Sequence, residues 1–123
     1  MIIFAGSRLS NGEIGKTSQI YKRMKTEITH TDNTVVITIE GRLDTVTSSE
    51  FEKTLFPYLA LKGIELVLDC NSMEYISSAG LRIVLVIYKT LTANGGNFII
   101  RNLNKEVRSV FDMTGFSRIL TIE

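Results

Sequence analysis

Ser72, Ser77 and Ser78 stand between a short apolar run, Leu66-Val67-Leu68, and a longer one that begins at Ala79. Ser77 and Ser78 immediately precede that second run, which has the length of a helix. The first amides of a helix lack intrahelical partners, and its macrodipole is positive at that end. Two chemistries suit a hydroxyl there. One is the ordinary N-cap, typically worth ~1 kcal/mol, which either Ser77 or Ser78 could supply. The other is acceptance of a phosphoryl group. A charge of about −1.5 to −2 is tolerated by free amides and by the dipole, so it would alter a docking surface without melting the helix. Gly80 serves either the close approach of a partner or phosphate, or tight packing of helix on sheet.

Other reactive residue types offer less. His30 is the sole histidine, with no Cys, Asp or Glu at metal-ligand spacing around it, and it reads as a surface residue. A serine hydrolase needs a general base beside its nucleophile, and no Gly-x-Ser-x-Gly elbow surrounds Ser78. Cys70, the single cysteine, follows an apolar strand and has no nearby His or Lys to activate it, so it reads as a small core residue. No enzyme, metal or cofactor is expected.

The elements that position these serines follow from periodicity. Met24–His30 and Thr34–Glu40 are strands joined by an Asp32-Asn33 turn, the second alternating Val35, Ile37 and Ile39 with polar residues. Thr47-Ser48-Ser49-Glu50 has capping-box spacing, and Phe51, Leu55 and Leu59 then repeat every four residues, so a first helix begins there. Ile64–Asp69 is a short strand with no polar face, suited to a central position. Residues Cys70–Ser77 form a loop, and Ala79–Thr92 a helix ended by Asn94-Gly95-Gly96. Asn97–Ile100 is a strand, Lys105–Met113 a third helix stopped at Gly115, and Ile119–Ile122 a closing strand. The order ββαβαβαβ predicts an α/β fold with a mixed, mostly parallel sheet and right-handed crossovers. Ligands and partners of such sheets dock outside the carboxyl ends of the parallel strands, which here means Asp69–Gly80.

With 123 residues and 44% hydrophobic composition, the chain suits one domain. Residues 24–123 form that domain, and the Gly-, Ser- and Thr-containing stretch from Gly6 to Lys22 makes residues 1–23 a poorly ordered leader. The leader has no secretory signal pattern, and the run from Leu81 to Ile87, broken by Arg82, is too short to span a bilayer. Fourteen basic and thirteen acidic residues leave a net charge of +1, which names no partner. Lys105, Arg108 and Arg118 are interleaved with Glu106 and Asp112, so neither nucleic-acid binding nor membrane insertion is expected. A lone cysteine and the lack of an export signal suit the cytoplasm.

The stretch Leu68-Asp69-Cys70-Asn71-Ser72-Met73-Glu74-Tyr75-Ile76-Ser77-Ser78-Ala79-Gly80-Leu81 resembles the signature of the STAS domain family. Three further segments are similar to that family's turns: Gly41-Arg42-Leu43-Asp44, Asn94-Gly95-Gly96 and Met113-Thr114-Gly115-Phe116. The resemblance covers Met24 to Ile122 and implies a single STAS-like domain of the anti-sigma factor antagonist type. It implies a protein that binds an anti-sigma factor, itself a serine kinase, and so frees a sigma factor. Phosphorylation at Ser78, which holds the family's position two residues before the Gly-Leu pair, would switch it off, and a metal-dependent serine phosphatase would reset it. Ser77 stands where the family often has Asp and is the less favoured acceptor. The partner-binding residues implied are Asp44, Ser77, Ser78, Ala79 and Gly80, with Asp44 equally readable as a helix cap. The protein itself is expected as a monomer or weak dimer. The competing reading is a STAS-type small-ligand sensor or a cytosolic subunit of a transport or lipid-transfer system, in which Ser78 is structural.

Overall fold

A strand that alternates apolar and polar residues needs something to cover its apolar face, and strand β2 (Thr34–Leu43) shows how this chain provides it. Val35, Ile37, Ile39 and Leu43 are fully buried, while Thr34, Val36, Thr38 and Glu40 on the other face are half-buried. In the computed structural model, which describes residues 24–123, β1 (Met24–Thr31) pairs antiparallel with β2 through the turn at Asp32 and Asn33. β3 (Glu65–Ile76), β4 (Asn97–Arg101) and β5 (Thr121–Ile122) then add in sequence order, each parallel to its neighbour. The sheet has five strands in the order β1-β2-β3-β4-β5. Helices α1 (Thr45–Leu59), α2 (Ser78–Ala93) and α3 (Lys105–Thr114) provide the crossovers. This is the expected ββαβαβαβ order, mostly parallel. The leader expected over residues 1–23 lies outside the described residues.

One apolar cluster joins the sheet to all three helices. Phe51, Leu55 and Leu59 of α1, Ile83, Val84, Ile87 and Leu91 of α2, and Val107 and Phe111 of α3 pack with Leu66, Leu68, Phe98 and Ile100. Burying a Leu, Ile or Phe side chain contributes about 1.5–3 kcal/mol, so this single cluster supplies most of what holds the helices to the sheet. Asparagines tie the connections down. Asn94 Nδ2 donates to Leu59 O at 2.9 Å, linking the ends of α1 and α2. Asn104 caps α3 through Val107 N–H and also donates to Met73 O at 3.0 Å.

Three expectations are corrected. The predicted loop over Cys70–Ser77 is strand as far as Ile76. Its pairing with β2 steps from Thr38↔Asp69 to Glu40↔Ser72, and from Gly41↔Met73 to Arg42↔Tyr75, so β3 carries an extra residue at each of two bulges. Each bulge changes the side-chain parity, and the buried residues become Cys70, Met73 and Ile76, three apart. Such spacing has no period of two, which is why the segment does not read as a strand. The first helix, in turn, is not capped by Thr47. It begins at Thr45 with Asp44 as the N-cap, and Thr47 is the third helical residue. The closing strand is shorter than Ile119–Ile122, because Phe116–Arg118 form a 3-10 turn first.

Candidate functional site

Strands β2 and β3 are parallel neighbours, and each runs into a helix almost without a loop: β2 ends at Leu43 and α1 starts at Thr45, while β3 ends at Ile76 and α2 starts at Ser78. Two positive helix N-termini therefore lie side by side at one end of the sheet. Their caps differ. At α2, Ser77 is the N-cap, extended at φ −98 and ψ 176, and its Oγ accepts the N–H of Gly80 at 3.2 Å. Its own N–H donates to Leu43 O at 2.9 Å, and its carbonyl accepts from Leu81 N–H. Ser77 is thus half-buried and fixed from several sides. Ser78 is the first helical residue and is exposed. The N-cap role open to either serine belongs to Ser77, which leaves the Ser78 hydroxyl unused by the cap.

Gly80 is buried and seats the first turn of α2 on the end of β2. A Cβ there would lie 2.7 Å from the carbonyl oxygen of Leu43 and 2.8 Å from Ile76 Cγ1. Close helix-on-strand packing accounts for this glycine. Ala79, between the exposed serine and the buried glycine, is half-buried.

At α1, Asp44 Oδ1 accepts the N–H groups of Val46 and Thr47, each at 3.0 Å. Thr47 Oγ1 accepts Asp44 N–H at 2.8 Å and donates to Arg42 O at 2.7 Å, completing a capping box around a fully buried threonine. The backbone N–H of Thr47 holds the Asp44 carboxyl below its ordinary value of 3.8, against a smaller opposing effect of burial, with Thr47 Oγ1, Val46 N–H and Arg42 adding to the lowering. Asp44 is therefore a cap and a fixed negative charge at the same end of the sheet as Ser78.

Arg42 and Tyr75 complete this surface and were not singled out by the sequence. They are register partners across β2 and β3, and the guanidinium carbon of Arg42 lies 4.1 Å from the Tyr75 ring centroid. Arg42 Nε also lies 3.8 Å from Asp44 Oδ2. Tyr75 and Val46 are large side chains left exposed at 40% and 55% in this otherwise polar neighbourhood. The second bulge of β3 turns Tyr75 outward, and only the pairing register reveals that. Amphipathic aromatics, exposed aliphatics and arginine are the residue types that protein interfaces use. Ser72 is exposed on β3, paired with Glu40 between the two bulges.

The remaining candidates are placed away from this chemistry. His30 pairs with Val35 at the opposite end of β2, eight residues from Leu43, or about 26 Å along a strand. Its Nε2 is bonded to Asp32 O at 3.1 Å, so it cannot serve as a base for Ser78. Cys70 is 1% exposed, and burial, with the Asp69 charge as a lesser cause, pushes its thiol up to about 12. It is a core residue with no nucleophilic thiolate near neutral pH. Among the described residues no group of three or more His, Cys, Asp or Glu could hold a metal ion, and no helix is long and apolar enough to cross a membrane.

Comparison with known proteins gives this geometry its context. The sequence model of the STAS domain matches residues 25–123. The BtrV protein of Bordetella bronchiseptica, which carries the provisional name of anti-sigma factor antagonist, is 30% identical over 99 residues, covering 80% of this chain and 85% of that one. The anti-sigma-B factor antagonist of Bacillus subtilis is 26% identical over 96 residues, covering 78% of this chain and 87% of that one. Among solved structures, the phosphorylated form of the Bacillus cell-fate determinant SpoIIAA superposes with a TM-score of 0.64 at 21% identity, covering 80% of this chain and 91% of that one. At that identity the superposition speaks for the fold.

Proposed function

The chain belongs to the STAS domain family, and from that premise we propose that it is an anti-sigma factor antagonist, switched by phosphorylation of Ser78. Unmodified, the domain of residues 24–123 docks an anti-sigma factor on the surface made by Asp44, Ser77, Ser78 and Ala79, with Arg42, Val46 and Tyr75 beside them and the buried Gly80 acting from beneath by seating α2. The sigma factor held by that partner is then released. The partner is also the kinase. It transfers the γ-phosphoryl group of ATP to Ser78 Oγ, with the hydroxyl proton passing to a base on the kinase and ADP leaving. A metal-dependent serine phosphatase hydrolyses the phosphoserine and restores the hydroxyl. The protein acts in the cytoplasm, as a binding partner and not as a catalyst.

The observation that carries this reading is the division of labour between adjacent serines. Ser77 makes the cap, while Ser78 is exposed at the first position of the helix and structurally idle. A phosphate at that position meets free amides and a favourable dipole, so the fold survives the modification. Docking does not, because a charge of about −1.5 to −2 enters the contact surface beside the fixed carboxylate of Asp44. Like charges across an interface cost on the order of several kcal/mol, which is more than tenfold in affinity. The two curated relatives are named as antagonists, which speaks against the ligand-sensor or transport-subunit alternative.

The test is incubation with candidate anti-sigma kinases from the same genome and ATP, followed by mass spectrometric mapping of the phosphate. Labelling that persists in Ser77→Ala and is lost in Ser78→Ala is expected. Labelling at Ser77 alone, or none with any candidate, overturns the assignment.

A further inference from the structure

Arg82 stands four residues after Ser78 on α2, and both side chains are exposed. In a helix the Cα–Cβ bonds lean toward the N-terminus, so the long side chain at i+4 reaches back over residue i. An anion followed four residues later by a cation is also the favourable order for such a pair. Arg82 is uncommitted. Arg42 pairs with Asp44 and Arg108 with Asp112, whereas Arg82 makes no hydrogen bond, ring contact or ion pair among the described residues. Arg42, the guanidinium near the end of the neighbouring strand β2, is already occupied by Asp44 and Tyr75. Arg82 also interrupts a helix whose neighbouring residues Leu81, Ile83, Val84, Leu85, Val86 and Ile87 are all apolar.

We infer that Arg82 is the clamp for the phosphate on Ser78, pairing its guanidinium with the phosphate oxygens along the exposed side of α2. The pair is charge-assisted, and the planar fork of the guanidinium can meet two oxygens at once. The first-turn N–H groups of Ser78 and Ala79 have no carbonyl four residues back, and they face the same group from the helix end. Gly80 N–H is already taken by Ser77 Oγ. Modification therefore changes two features of the docking surface together: a dianion is added, and a cation that was free to meet a partner's carboxylate is drawn back onto its own helix.

This inference rests on Ser78 as the modified residue, so its test is made independent of any kinase. Phosphoserine is installed at position 78 of the full chain during translation, and the phosphate is titrated by phosphorus NMR in the wild type, Arg82→Gln and Arg82→Lys. A cation beside the phosphate favours the dianion and lowers the titration midpoint. At low salt the midpoint of Arg82→Gln is expected to lie about 0.3 pH unit or more above the wild type. Arg82→Lys, which keeps the charge, stays nearer the wild type, and the gap closes in about 1 M salt. Equal midpoints for wild type and Arg82→Gln at low salt overturn the clamp. Failure of every kinase to label Ser78 would remove the switch while leaving this shift intact, so the two failures are distinguishable.

Discussion

Replacing Ser77 and Ser78 by alanine one at a time separates structure from regulation, because the two hydroxyls have opposite relations to α2. Ser77→Ala removes the acceptor for Gly80 N–H, a bond of 3.2 Å at a half-buried position. Loss of such a cap costs typically ~1 kcal/mol. The backbone bonds of Ser77 to Leu43 O and from Leu81 N–H survive, so the cost is confined to the side chain. Ser78→Ala removes an exposed hydroxyl from the first helical position, where alanine is the better helix former by a few tenths of a kcal/mol. It is expected to be neutral or slightly stabilising. Urea denaturation of both variants reads the difference directly. With a slope of about 2 kcal/mol per molar for a domain of this size, Ser77→Ala shifts the midpoint down by roughly 0.5 M, and Ser78→Ala leaves it in place or raises it. In a thermal scan the first loses about 4 °C or more. If Ser78→Ala costs as much as Ser77→Ala, Ser78 is a structural cap, and the argument that its hydroxyl is free for modification collapses.

Gly80→Ala gains about 1 kcal/mol in helix propensity, but its Cβ meets the Leu43 carbonyl at 2.7 Å, and backbone cannot give way as a flexible side chain would. Overpacking of typically 1–3 kcal/mol wins, so equilibrium denaturation should show a net loss of stability. Asp44→Ala removes the α1 cap and should cost about 1 kcal/mol at neutral pH. Because the folded carboxyl is held below 3.8, its stabilisation is present above that pH and fades as pH falls through the lowered value. The gap in stability between wild type and Asp44→Ala should therefore narrow in acid-titration denaturation curves. Cys70, 1% exposed and with its thiol raised to about 12, should resist alkylation in the native protein and react at the rate of unfolding. Fast labelling under native conditions, followed by mass spectrometry, would contradict its burial.

The element order was legible because β2 alternates with period two and α1 and α2 repeat every three or four residues, signals strong enough to stand without tertiary context. The serine pair was legible for a related reason, since hydroxyls directly before an apolar helix have few roles. The sequence did not reveal what depends on contacts between distant segments. The two bulges of β3 change side-chain parity in response to the register with β2, so Cys70, Met73 and Ile76 point inward at a spacing that matches neither helix nor strand. Tyr75 is turned toward Arg42 by the same register, and no local pattern marks either residue as part of a surface. The α1 cap was misplaced because Thr47 followed by Glu50 imitates a capping box, whereas the actual box pairs Asp44 with Thr47. The difference lies in where β2 ends, which its pairing with β3 decides.

The most direct test of the central claim is competition for an anti-sigma factor. A complex of sigma factor with the cognate anti-sigma factor is titrated with this protein, unmodified or carrying phosphoserine at position 78, and free sigma factor is followed by fluorescence anisotropy. Unmodified protein should release the sigma factor, and the phosphorylated form should need more than tenfold higher concentration to do so. Failure of the unmodified protein to release the sigma factor, or equal potency of the two forms, would contradict the account.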